Sequence, residues 1–395
     1  MPLADAVREA LGSQSMIRKM FEEGTLLKQQ HGAHNVFDFS LGNPDLEPPP
    51  AFHEVFVKMA SEDEKGSHAY MPNGGYPHVR EALAKKASAE QQVNIDGSHI
   101  IMSCGAAGGL NVVFKSILNP GDEVIVSRPY FMEYRPYVSN HGGKIVEVDA
   151  LDDFNLDVDA IKAKLNPKTA AVLINSPHNP TGKIYPPELI AHLAQVMEAH
   201  GRASGRMPYL ISDEPYREIA YDGIAVPPIL SAYKESLVVT SYSKSLSLPG
   251  ERIGYIALGP EAEDKQNLIG ALIYATRILG YVNAPALMQR IVAELVSARV
   301  DVDIYARRRG AFAKVLDQVG IRYSKAEGAF YYFCQVPSGG DDLAFAEHLK
   351  KHLILGVPGS GFGKPGWISF AYCVDEKIIE ASGPAFQKAM EEWGK

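Results

Sequence analysis

A lysine that follows a short apolar strand, sits among small hydroxyl residues and precedes an arginine by eight positions is the most chemically specific feature of this 395-residue chain. The run reads Ser241-Tyr-Ser-Lys-Ser-Leu-Ser-Leu-Pro-Gly-Glu-Arg252-Ile-Gly254. Lys244 offers an amine that can add to an aldehyde and form a Schiff base, provided its surroundings lower its pKa. Arg252 offers a planar guanidinium suited to two parallel hydrogen bonds with a phosphate, and the hydroxyls of Ser241 and Ser243 can donate to the same dianion. Together these groups can carry and anchor a phosphorylated aldehyde, and the predicted cofactor is pyridoxal phosphate. A lysine near an arginine is more commonly a solvated surface pair, so the reading depends on what else reaches the same place.

The elements around the run do converge. Residues 169–175, 209–213 and 237–240 are near-continuous apolar stretches of strand length, alternating with helix-like segments. That pattern suits a parallel sheet buried on both faces. Ligands of open α/β sheets bind beyond the carboxyl ends of the strands, where Asn179, Asp213 and Lys244 would all emerge. Residues 99–105 read as a strand end, and Gly105-Ala-Ala-Gly-Gly109 opens a buried helix whose unpaired N–H groups would face an anion. Gly105, Ala106 and Ala107 are therefore expected to cradle a phosphate. The strand at 123–129 delivers Tyr130 and Phe131 to the same face, where one aromatic would stack on the cofactor ring.

Further strands are expected at 36–41 and 144–149, with helices near 51–60, from 77, at 158–165 and across 261–280. Residues 1–35 read as a helix or two, with Ile17, Met20, Phe21, Leu26 and Leu27 at roughly helical spacing. Tyr281–Pro285 reads as a break before one long helix over 286–317, and residues 329–333 and 367–371 as strands of a smaller α+β region. Gly359-Ser-Gly361-Phe-Gly363 lacks the strand, turn and helix that a dinucleotide site requires.

Lys plus Arg number 39 against 47 Asp plus Glu, a formal charge of −8, so no general attraction to nucleic acid or an anionic membrane is expected. Cys104, Cys334 and Cys373 are odd in number and widely spaced, suggesting neither a disulfide framework nor a metal site. No apolar run reaches membrane-spanning length, and a cytoplasmic location fits best.

Asn179-Pro-Thr-Gly182, Asp213-Glu-Pro-Tyr216 and Lys244 to Arg252 stand in an order and spacing that resemble the class I/II aminotransferases, the fold-type-I pyridoxal-phosphate enzymes that include aspartate aminotransferase. The likeness runs from Leu41-Gly-Asn-Pro-Asp45 to Phe362-Gly363. It implies an α/β fold with a mainly parallel, seven-stranded central sheet and a smaller α+β domain. The expected divisions are an N-terminal arm at 1–48 with part of the small domain, a large cofactor domain at 49–285 and a small domain at 286–395. It implies transfer of an amino group from an amino donor to a 2-oxo acid in ping-pong fashion. A lyase or decarboxylase of the same fold is the alternative. A sensor module of a transcription regulator is disfavoured, because residues 1–40 leave no room for a DNA-binding domain.

The resemblance also implies roles. Asp213 would keep the pyridine nitrogen protonated, and Asn179 and Tyr216 would hydrogen-bond the phenolic oxygen. Phe131 is preferred to Tyr130 for stacking on the ring, and His178 is expected to be structural. Gly42 would border the substrate, and Tyr70 would reach the cofactor phosphate of a second chain, making a homodimer with shared sites. One position departs from the pattern. The family's last strand presents an arginine to the substrate α-carboxylate, and matching Ile-Ser-Phe-Ala puts Trp367 there, with no arginine after Arg322. Either Trp367 merely packs while Lys364, Arg277, Arg128 or Arg135 binds the carboxylate, or the pocket takes a donor without a conventional α-carboxylate and Trp367 forms an apolar wall.

Overall fold

The computed structural model describes residues 3–5, 7–8, 16–62 and 65–394. Its strands in chain order are β1 (Phe37–Asp38), β2 (Ile100–Ser103), β3 (Glu123–Arg128), β4 (Lys144–Asp149), β5 (Thr169–Asn175), β6 (Tyr209–Asp213), β7 (Ser236–Ser241) and β8 (Gly254–Leu258). They are followed by β9 (Tyr331–Gln335), β10 (Ile354–Leu355), β11 (Val357–Pro358) and β12 (Trp367–Ala371). Seven strands form the central sheet in the order β2-β8-β7-β6-β5-β3-β4. The sheet is parallel except at β8, which runs antiparallel to both β2 and β7. β8, which follows directly from Arg252, was not anticipated from the sequence.

Alternate residues of the same strands enter different cores. Val124, Val126, Ala171, Leu173, Leu237 and Val239 join one apolar cluster, while Ile125, Val172, Ile174 and Val238 join the other. Both faces are therefore dry, which is why these strands read as unbroken apolar runs. Each fully buried aliphatic side chain is worth roughly 1.5–3 kcal/mol of transfer free energy, and this gain holds the strand ends in place.

A third core contains Phe39, Phe312, Phe330, Phe370 and Phe386. It underlies the antiparallel sheet β11-β12-β9, and β1 pairs in parallel with β10 beside it. The strand expected over 36–41 shortens to β1, because its partner β10 offers only two residues. The single helix expected over 286–317 is two, Ala286–Glu294 and Val302–Gln318. The second restarts because the Asp301 carboxylate accepts the Asp303 N–H at 3.0 Å and caps a new first turn. In the N-terminal helix Met16–His31, Met20 is buried but Leu26 is exposed; the side chains of Ile17 and Phe21 lie outside the described residues.

Candidate active site

The carboxyl ends of β5, β6 and β7 open onto one cavity of about 260 Å³. After β7 the chain makes the short helical turn Tyr242–Ser245, which carries Lys244 into the cavity. The Lys244 amine donates to the Gly42 carbonyl at 2.5 Å, and its Nζ lies 5.4 Å from the centre of the Phe330 ring. Burial lowers its pKa to about 8, with the Arg252 charge acting in the same direction and Cys373 opposing it. A free amine is thus accessible near neutral pH.

Asp213 closes β6. Its Oδ2 accepts the Tyr134 hydroxyl at 2.6 Å, whereas its Oδ1 is buried with no hydrogen-bond partner. Burial raises the Asp213 pKa to about 7; the Tyr134 bond pulls it down and the Glu214 charge pushes it further up. Asn175, at the end of β5, pins the neighbouring loop from two sides. Its Nδ2 donates to the Asp213 carbonyl and its Oδ1 accepts the Asn179 N–H, each at 2.7 Å. Asn179 Oδ1 is also buried without a partner. Two buried polar atoms without protein partners in one cavity offer a ligand two hydrogen-bonding positions.

The helix Gly105–Ile117 begins on a glycine at φ +70°, a backbone conformation that L side chains rarely adopt. A Cβ at this position would come within 2.7 Å of Arg252 Nη2. Glycine therefore lets the guanidinium lie against the helix start, and Ala106 and Ala107 extend the same wall. Arg252 is itself at φ +52° and donates to the Pro249 carbonyl at 2.8 Å. The arrangement places a cation, unpaired helix N–H groups and the cavity-lining Ser241 and Ser243 on one concave surface, a fit for a phosphate dianion.

Phe131 lines the cavity. Tyr130 turns away, its hydroxyl donating to Glu147 at 2.6 Å. Tyr216 lines the cavity and its hydroxyl meets that of Tyr331 at 2.7 Å; burial drives its pKa upward. Gly42 also lines the cavity, and a Cβ there would overlap Tyr331, 1.8 Å from the hydroxyl oxygen. His178 bonds Thr181 at 2.8 Å, and burial lowers its pKa to about 3, so it remains neutral and structural.

Of the remaining expected residues, Tyr70 was assigned to the site of a second chain, and Trp367 does not line the cavity. Tyr70 is 90 % exposed. Trp367 packs outside the pocket, stacked on Phe333 with ring centres 5.2 Å apart and edge-on to Phe154 at 5.0 Å. The β12 side chains that face the cavity are Ser369 and Ala371, two and four residues further along the strand. Matching the strand at Trp367 therefore chose a position just beyond the pocket wall. Of the cations suggested as substitutes, Arg128 pairs with Asp149 at 2.9 Å and Arg135 with Glu147 at 2.7 Å. Neither lines the cavity, nor does Arg277 or Lys364. Tyr134, Tyr137, Tyr331 and Ser369 line it and were missed. Nothing local distinguishes them, since aromatic residues in a short helix or a strand, and a lone serine within an apolar strand, read as ordinary core. Among the described residues no group of three His, Cys, Asp or Glu side chains could hold a metal, and no helix is long and apolar enough to cross a membrane.

A family model described as aminotransferase class I and II matches residues 34–381. The chain is 30% identical to a probable aspartate aminotransferase of Methanocaldococcus jannaschii, covering 93% of this chain and 94% of that protein. It is 30% identical to the aspartate/prephenate aminotransferase of Thermus thermophilus, covering 88% and 89%. The solved structure of an amino transferase from Eubacterium rectale superposes with a TM-score of 0.95 at 37% identity, covering all of both chains.

Proposed function

Because the chain belongs to the class I and II aminotransferases, enzymes that use pyridoxal phosphate to move an amino group between an amino donor and a 2-oxo acid, we propose that the cavity at Lys244 holds that cofactor and serves both half-reactions of the ping-pong cycle. The observation that carries this reading is the meeting of a lysine of depressed pKa with two unpaired buried polar atoms, Asp213 Oδ1 and Asn179 Oδ1, in one cavity. The lyase or decarboxylase alternative has no comparable support, since the relatives are named as aminotransferases.

When bound, the cofactor supplies an electron sink for the donor's amino-bearing carbon. The protein supplies placement and protons. Lys244 would carry the cofactor and, once released, move a proton between the donor carbon and the cofactor carbon beside it. Asp213 Oδ1 would hold the ring nitrogen's proton while Tyr134 fixes the carboxylate through Oδ2. Asn179 and Tyr216 would bind the phenolic oxygen, with Tyr331 orienting the Tyr216 hydroxyl. Phe131 would cover the ring. Arg252, Ser241, Ser243 and the helix start at Gly105, Ala106 and Ala107 would bind the phosphate. Gly42 would keep the substrate side of the lysine open, its carbonyl holding the free amine.

We also propose a homodimer in which Tyr70 completes the partner's phosphate site. Its 90 % exposure supports an interface there. A cytoplasmic location agrees with three unpaired cysteines. For the division into an arm at 1–48 and domains at 49–285 and 286–395, we place the last boundary after the helix Ala286–Glu294, because Met288, Ile291 and Val292 pack into a core of the central sheet. Aspartate, named in the relatives, is the first donor to assay.

The central test is borohydride reduction of the cofactor-loaded protein followed by peptide mapping. The cofactor mass is expected on Lys244, and a label on another lysine overturns the assignment.

A further inference from the structure

We propose that Cys373 is a positioning residue for Lys244: its thiol holds the carbonyls on either side of Gly42, which keeps the Gly42 carbonyl aimed at the lysine amine and the released amine where it can move a proton. This rests on the reading of the cavity as the cofactor site. The Lys244 amine donates to the Gly42 carbonyl. The Cys373 Sγ lies 3.4 Å from the Asn43 carbonyl oxygen and 3.7 Å from that of Leu41, so lysine and cysteine grip successive peptide groups of one short loop.

Peptide groups are planar, and contacts to the Leu41 and Asn43 carbonyls orient the units before and after the one that bears the Gly42 oxygen. Gly42 supplies little restraint of its own, because glycine has the widest choice of backbone conformation. A larger residue cannot replace it, since a Cβ there would overlap the Tyr331 hydroxyl. The restraint must therefore come from outside. The ends of the segment have separate anchors: the Phe39 carbonyl accepts the Ala371 N–H at 2.8 Å, and Asp45 forms a two-point ion pair with buried Arg308, with Nη2 at 2.8 Å. Cys373 fixes the middle. Burial, opposed by the nearby Lys244 charge, pushes its thiol up to about 12, so it keeps its proton and remains a hydrogen-bond donor at neutral pH.

The test compares the wild type with Cys373→Ser, which keeps a hydrogen-bond donor, and with Cys373→Ala and Cys373→Val, which do not. Valine also fills the space, separating a lost hydrogen bond from a cavity. In cofactor-free protein, the pH profile of Lys244 acylation is read by peptide mapping. A carbonyl that is no longer held gives the ammonium a poorer acceptor, so the midpoint in the alanine and valine variants should fall by on the order of half a pH unit, while the serine variant stays with the wild type. The other titratable groups of the cavity, Asp213, Tyr134, Tyr137, Tyr216, Tyr331 and Arg252, are the same in all four proteins. In cofactor-loaded protein, the maximal rate of amination by aspartate should fall roughly three- to tenfold in the alanine and valine variants at unchanged affinity for aspartate, the size of one neutral hydrogen bond. Serine should restore it to within about twofold.

An acylation midpoint unchanged in both alanine and valine variants overturns the proposal, as does a serine variant that shifts as far as they do. Weakened affinity with an unchanged maximal rate overturns it too, because the loop would then act on binding rather than on the amine. If neither alanine nor valine variant folds while the serine variant is fully active, the thiol is a folding contact and the proposal falls. If the acylation midpoints move as expected but no amino donor changes the spectrum of the loaded wild type, the hold on Gly42 stands and the placement of the half-reactions in this cavity fails.

Discussion

Asp213 and Lys244 carry opposite protonation costs in the same cavity. Burial raises Asp213 to about 7 from 3.8, so the cofactor-free fold favours its neutral form. Its contribution to stability is present below about pH 4 and is lost as the pH rises to about 7, because there the unfolded chain has released a proton that the fold retains. Asp213→Asn should flatten this decline, by a few kcal/mol at most, in urea titrations of cofactor-free protein between pH 4 and 7; an unchanged slope would contradict the role of burial. Lys244 has the reverse sign. With its pKa lowered to about 8 from 10.5, it makes stability increase with pH across that interval, and the acylation rate of Lys244 should be half-maximal near pH 8. Tyr134→Phe removes the one bond that lowers the Asp213 pKa. It should move that pKa upward and cost about 1–3 kcal/mol, measured by carboxylate-selective NMR and by denaturation.

Two glycines separate the structural work of an element from its ligand-binding work. Gly105 opens a helix at φ +70°, with Arg252 Nη2 2.7 Å from where a Cβ would stand. Gly105→Ala should displace the guanidinium and weaken binding of the cofactor and of inorganic phosphate about tenfold or more, while unfolding shifts less than in the next case. At Gly254, where β8 pairs with β7, a Cβ would come 2.2 Å from the Thr240 carbonyl oxygen. Rigid backbone cannot give way as a side chain can. Gly254→Ala should therefore cost on the order of 2–4 kcal/mol of global stability, read from the denaturation midpoint.

For the whole molecule, the exposed Tyr70 and the enclosed Lys244 frame the assembly prediction. Lys244→Ala and Tyr70→Phe chains, each weakened alone, should regain activity when refolded together, because one shared site in the mixed dimer then has both residues intact. Equal activity in mixed and separate preparations, with a monomeric mass by sedimentation, would remove the shared-site arrangement.

Residue chemistry and apolar periodicity by themselves determined that Lys244, Arg252 and Asp213 meet at one cavity and that mainly parallel strands deliver them. Those signals are local: a strand buried on both faces must be apolar throughout, and a catalytic side chain must leave its carboxyl end. Tertiary structure alone decided the rest. Tyr134 and Tyr331 look like core aromatics in the sequence, and only folding brings their hydroxyls to Asp213 and Tyr216. The break in the expected long helix at Asp301, the antiparallel insertion of β8, and the choice of Ser369 over Trp367 at the wall depend on register and capping between distant segments. Trp367 and Ser369 point to the same face of β12, since strand side chains alternate with a period of two. How far the cavity extends along that face is decided by Phe333 and Phe154, which occupy the space around Trp367, and no spacing within the strand could reveal their presence.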